Sequence, residues 1–199
     1  GERWALLVVR ELVLGPTRFT DLRAGLLAAS PNVLSQRLRE LEEHGVVARR
    51  VLPRPASATV YELTAWGREL EPVILALGRW GSRAAQVPGG ELSVDATMLA
   101  LRTTFDAEAA EGLRARIAVQ LGSDEFRLHV ARRRIEISRG SGDDCDATLT
   151  TDPATLRAVV FGGRPVASAK KAGALAISGD EALVVKVLGL FVRPAPAAP

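Results

Sequence analysis

Four polar side chains in "SPNVLSQRLRELEEHGVV", residues 30–47, have the types and spacing to do recognition chemistry. On a helix turning about 100° per residue, Asn32, Ser35, Gln36 and Arg39 share one side, with Glu43 beyond them. Leu34, Leu38 and Leu41 fall on the opposite stripe. Amide, hydroxyl and guanidinium groups can hydrogen-bond base edges in the major groove of double-stranded DNA. A helix face that is simply solvated shows the same pattern, so the neighbouring elements must decide.

The helix has clear ends. Ser30 is a good N-cap, Pro31 suits the first helical position, and Gly45 suits the C-cap. Before it, residues 4–14 predict a first helix stopped by Gly15-Pro16. Residues 19–27 predict a second, with Thr20 as its N-cap. After it, two extended runs, 46–52 and 59–63, flank the Pro-containing "PRPASA" and predict a hairpin. Thr64 then caps one long helix over about 65–85, with Trp66, Leu70, Val73, Leu77 and Trp80 as an apolar stripe.

The composition changes across residues 86–92, which read as a linker between a first domain, 1–85, and a second, 93–193. The second opens with a helix at 94–104 capped by Ser93. Alternating strands follow at 114–121, 125–131 and 134–139, and a shorter one at 147–152. Asp152-Pro153 opens a helix to about Phe161, "GALAISGD" contains a strand, and residues 180–191 form a final helix. Residues 194–199 read as a frayed tail, and Arg132-Arg133-Arg134 as a solvated hairpin turn. The fold class is therefore α+β.

Charge is distributed unevenly. Residues 1–85 carry 12 arginines against 9 acidic residues, and residues 86–199 balance at zero, so the whole excess of +3 lies in the first half. A local basic surface suits a polyanion such as DNA. The single cysteine, Cys145, has no intrachain partner, which fits a reducing cytoplasm. No apolar run reaches the length of a membrane span. Gly1 leads directly into a helix, which implies a segment before it. His44 and His129 lack metal-ligand spacing, and Asp143, Asp144 and Asp146 lack the regular calcium-loop pattern. No enzyme, metal or cofactor signature is present.

The first half resembles the HxlR family of bacterial transcription regulators, related to the MarR type. The resemblance rests on Trp4, Gly15-Pro16, Arg18-Phe19, Leu34-Ser35-Gln36-Arg37-Leu38, Leu41, Gly45, Tyr61-Glu62-Leu63-Thr64, Gly67 and Trp80-Gly81. It implies a winged helix-turn-helix whose third helix enters the major groove. Asn32, Ser35, Gln36 and Arg39 would then meet bases, while Thr17, Arg18, Ser30, Arg37, Arg50 and Arg54 would meet the DNA backbone. One of Arg49 and Arg50 should face inward or along the sheet edge. The resemblance also implies a homodimer paired through terminal helices. Several family members carry a sensing cysteine upstream of the first helix. This chain begins too late to show that position, and Cys145 is not that residue.

The second half resembles the sterol carrier protein domain, type two, through "ATLTTDPATLRAVVFGGR" and "GALAISGDEALVVKVLGLF". That likeness implies an apolar small ligand, such as a lipid, between sheet and helices. Met98, Leu101, Phe105, Phe161, Leu188 and Phe191 are the candidate lining, and each taken separately reads first as ordinary core. The expectation is a DNA-binding regulator whose second domain senses an apolar ligand. Its rival is a lipid carrier or scaffold that uses the winged domain for protein contacts.

Overall fold

The computed structural model describes residues 3–53, 58–84 and 92–197. These form two compact units. One holds the described residues through Leu77 together with 92–96. The other holds 78–84 together with 97–197. The second unit thus begins inside the helix that the sequence assigns wholly to the first domain.

The first unit runs α1 (Arg3–Leu12), β1 (Thr17–Arg18), α2 (Phe19–Gly25), α3 (Pro31–Glu43), β2 (Val47–Val51), β3 (Thr59–Leu63), α4 (Ala65–Arg68) and the start of α5 (Glu71–Gly81). Val8 and Leu12 of α1, Leu22 of α2, and Leu34 and Leu38 of α3 are buried together with Val60 and Leu63 of β3. Each such side chain contributes about 1.5–3 kcal/mol by leaving water. The wing has three strands in the order β1-β3-β2, all antiparallel. β1 went unseen in the sequence because two residues show no alternation. The N-cap of α2 is Arg18, without a side-chain cap bond. Thr20, the expected cap, instead donates to Asp21.

The long helix expected over 65–85 is two helices. Pro72 has no N–H to donate to the Arg68 carbonyl, and its ring would strike that carbonyl, so α4 stops there. Thr64 caps α4 through the Gly67 N–H at 3.0 Å, and its hydroxyl donates to the Gly45 carbonyl at 2.6 Å. Gly67 lies so close to the preceding turn that a Cβ there would sit 2.0 Å from the Val46 carbonyl oxygen.

Glu11 is a buried carboxylate in this unit. It accepts from Arg10 at 2.6 and 2.9 Å and from the Ser93 hydroxyl at 2.9 Å. Ser93 in turn accepts from the Ala96 N–H at 3.0 Å, capping α6 (Val94–Thr104). Desolvation raises the Glu11 pKa above its ordinary value of 4.5, with Arg10 and Ser93 opposing the shift.

The second unit continues with β4 (Ala115–Leu121), β5 (Asp124–Ala131), β6 (Arg134–Arg139), β7 (Ala147–Thr151), α7 (Pro153–Val160), α8 (Val166–Lys171), β8 (Leu175–Gly179) and α9 (Glu181–Leu188). Its sheet order is β6-β5-β4-β7-β8, antiparallel except for β4 against β7. Ile117, Val119, Leu128 and Leu149 face Leu101 of α6, Leu156 of α7 and Val184 and Val187 of α9. Alternation sends Arg116, Arg127, His129 and Thr150 to the opposite face. Asp152 caps α7 as its sequence predicts, and Asp180, read as the first residue of the final helix, is the N-cap of α9. α8 is the helix that sequence reading missed. The tail is not frayed through Ala197, whose N–H donates to the Arg83 carbonyl at 2.8 Å, while Arg83 Nε donates to the Ala195 carbonyl.

Gly67→Ala should lower stability by about 1–3 kcal/mol or more, because the clash is with backbone. A urea midpoint equal to wild type would contradict this packing. Glu11 gives a second test. Its raised pKa means the folded state holds the proton more tightly, so that stability is present below pH 4.5 and lost as pH rises through the shifted value. Relative to Glu11→Gln, wild type should weaken as pH rises. A difference that is flat with pH would count against it.

Candidate nucleic-acid interface

α3 is held by its apolar stripe. Leu34 and Leu38 are fully buried, which turns Asn32, Gln36 and Arg39 outward, with Ser35 half-buried between them. The Ser30 hydroxyl accepts the Val33 N–H at 3.3 Å, and Gly45 takes a φ of 70° just past the helix. The outward groups are partly pre-set. Gln36 Nε2 donates to Glu40 at 3.0 Å, and Arg39 Nε donates to the Ser35 carbonyl at 3.4 Å. His44 Nδ1 lies 2.6 Å from the Glu40 carbonyl at the helix end.

The expected backbone-contacting residues separate into distinct situations. Arg18 is exposed and precedes α2. Thr17 is only 4% exposed and its hydroxyl donates to the Gly15 carbonyl at 3.2 Å, so it is a packing residue of β1 rather than a surface donor. The Arg37 side chain is 11% exposed and ion-paired with Glu40, which draws it along the helix instead of outward. Ser30 spends an acceptor on its cap and keeps its hydroxyl proton. Arg54 lies outside the described residues.

On the wing, both Arg49 and Arg50 are exposed on the edge strand β2, so of the two expected placements neither is inward. Arg50 and Glu62 are diagonal neighbours across β2 and β3 and form a two-pronged pair at 3.0 and 3.1 Å. Arg49 makes no side-chain hydrogen bond or ion pair among the described residues. Sequence reasoning weighed Arg49 against Arg50 without choosing, and named only Arg50 as a backbone contact. The register of β2 on β3 places Glu62 diagonal to Arg50, which commits one arginine and leaves its neighbour.

In the second unit the candidate pocket residues behave as core. Met98, Leu101, Leu188 and Phe191 are buried, Phe105 and Phe161 half-buried, and Phe105 packs on Phe191 with ring centres 6.3 Å apart. The space left between sheet and helices is about 10 Å³. Side chains that include Leu101 and Leu188 fill the volume in which a lipid was expected. Burial pushes the Cys145 thiol above its ordinary range, with Arg116 acting against the shift. No helix among the described residues is long and apolar enough to cross a membrane.

A helical unit that presents a polar third-helix face beside a small antiparallel wing is a winged helix-turn-helix, the architecture of a class of DNA-binding proteins. Comparison with known proteins agrees. Residues 1–87 match the HxlR-like helix-turn-helix family, and residues 90–197 match the alkyl sulfatase C-terminal family. The chain belongs to the HxlR-like helix-turn-helix family through its first half and to the alkyl sulfatase C-terminal family through its second. The sterol-carrier likeness of that second half remains a resemblance of sequence only.

The uncharacterized HTH-type transcriptional regulator YvaP of Bacillus subtilis is 40% identical over 82 residues, covering 41% of this chain and 76% of that protein. The uncharacterized HTH-type transcriptional regulator sll1512 of Synechocystis sp. is 42% identical over 80 residues, covering 40% of this chain but 59% of its own length. The sec-alkylsulfatase Pisa1 from Pseudomonas sp. aligns with 50% of this chain and 16% of its own, at 19% identity and a TM-score of 0.47.

Ser30 holds the first turn of α3, so Ser30→Ala should cost about 0.5–2 kcal/mol of stability. Thermal or urea unfolding checks this, and an unchanged stability would show that the cap contributes nothing.

Proposed function

We propose that the protein is a transcription regulator that binds double-stranded DNA, with α3 in the major groove. The observation that carries this is the rotation of α3: burying Leu34 and Leu38 leaves Asn32, Gln36 and Arg39 uncovered on one side. In this reading Asn32, Ser35, Gln36 and Arg39 contact base edges. Arg18 and Arg49 contact phosphates, joined by Ser30 through its remaining proton. Arg50 reaches phosphate only by leaving Glu62, and Arg37 only by leaving Glu40.

A homodimer follows from the same reading. Trp66 of α4 is exposed, as are Val73, Leu77 and Trp80 of α5, the last 77% exposed. Exposed apolar side chains at i, i+4 and i+7 suit a helix-to-helix contact with a second copy. Two copies would set two recognition helices about one DNA turn apart.

The second unit has the sensing role in this reading, and it acts without catalysing a reaction. A ligand changes DNA affinity only by binding the DNA-competent and incompetent states unequally. An apolar ligand between sheet and helices would have to displace side chains that now fill the space.

The test uses the full chain and duplexes from its own promoter region. Gln36→Ala and Arg39→Ala should each weaken specific binding by about 1–3 kcal/mol. Affinity should fall steeply with salt, and Arg18→Ala should weaken specific and non-specific DNA alike while lowering the salt slope by about one. No specific binding by the folded wild-type chain would overturn the reading and make the winged unit a protein-docking module.

A further inference from the structure

One open volume of the second unit lies on the side of the sheet away from the helices. A cleft of about 490 Å³ opens there, against about 10 Å³ on the helix side. The larger volume falls in the range typical of ligand sites, about 300–1,000 Å³.

The cleft is made by the path of the chain after β6. Residues 140–146 cross the open face to reach β7. Gly142 allows the approach: a Cβ there would lie 2.3 Å from the Ala118 Cβ, so only a bare backbone lies this close to the sheet. Asp146 fastens the far end. It accepts the Arg116 N–H at 2.8 Å, returns its own N–H to the Arg116 carbonyl at 2.7 Å, and pairs with the guanidinium at 3.1 Å.

The floor is two rungs of the sheet. Arg116, His129 and Glu136 form one, and Ala118, Arg127 and Ser138 the next. The crossing segment supplies a wall with Ser141, Asp143 and Asp144. Several of the polar groups have partners: Arg116 is held by Asp146, the His129 ring lies 4.0 Å from the exposed Glu136, and Asp143 accepts the Ser141 hydroxyl at 3.1 Å. Arg127 and Asp144 make no side-chain hydrogen bond or ion pair among the described residues. The Arg127 guanidinium lies flat against Gly140, where a Cβ would meet its atoms at 3.2–3.4 Å. A cation and a carboxylate without a side-chain partner among the described residues therefore border the same polar volume.

We infer that this cleft binds a small zwitterion, its carboxylate or similar oxyanion on Arg127 and Ser138 and its ammonium group on Asp144. A planar guanidinium matches an oxyanion with two parallel hydrogen bonds, and an ammonium donates to a carboxylate at any approach. Such a ligand is recognised by its two opposite charges together, and a molecule with only one of them satisfies half the site. The inference deepens the sensing role proposed above and rests on that role only for its consequence at DNA.

The test is calorimetric titration of the full chain without DNA, using 4-aminobutanoate, butanoate and butylamine as probes. 4-Aminobutanoate should bind at least tenfold more tightly than either singly charged probe. Arg127→Gln should weaken its binding at least tenfold, and so should Asp144→Asn. Both side chains face solvent, so unchanged melting temperatures are expected to accompany the loss. Failure of all three probes, equal binding of the zwitterion and butanoate, or undiminished binding to Arg127→Gln would each overturn the site. Operator binding is then measured with and without 4-aminobutanoate. Specific operator binding with no probe binding removes the cleft alone. Probe binding that leaves operator affinity unchanged keeps the site and removes its sensing role.

Discussion

The rotation of α3 about its own axis is the constraint on which the first unit depends. It is set by two leucines. With Leu34 and Leu38 in the core, the helix has no freedom to turn, and its remaining positions are distributed between solvent and the flanks. The ion pair between Arg37 and Glu40, the hydrogen bond from Gln36 to the same carboxylate, and the Ser30 cap are consequences of that orientation. Packing is also what separates arginines that look equivalent in the sequence. Arg39 is outward because Leu38 is inward, and Arg37 is half-covered because it shares a flank with the buried stripe.

The second unit obeys the other periodicity. Alternation along β4, β5 and β7 gives the sheet one apolar and one polar face, and α6, α7 and α9 seal the apolar one with almost no space left. A sheet covered on one side leaves the polar side to loops. Here a single crossing segment divides that side. The helices thus consume the apolar volume, and the crossing chain creates the polar one.

Much of this order is legible in the residues, and the misses have causes. Helices with a cap and a stripe, such as α3, α6 and α9, are readable because both signals are local. β1 and α8 are too short to show a period. The break after α4 was readable in Pro72, which the apolar stripe of Trp66, Val73 and Leu77 overrode as a signal. Among the candidate site residues, those on α3 follow from rotation alone. The fates of Thr17 and Arg50 depend on strand register with β3, which no local pattern reveals. The cleft was illegible for the same reason: it depends on where residues 140–146 lie over strands distant in sequence, and Gly142 was its only local trace.

The placement of aromatic side chains has an optical consequence. The chain's three tryptophans, Trp4, Trp66 and Trp80, all precede the sheet of the second unit. Trp66 and Trp80 are 60% and 77% exposed, so their indoles emit from a watery environment. Anything that covers α4 and α5 must move that emission to shorter wavelength and shield it from soluble quenchers. No tryptophan lines the cleft on the β4–β6 face. The exposed indoles therefore report on whatever covers α4 and α5.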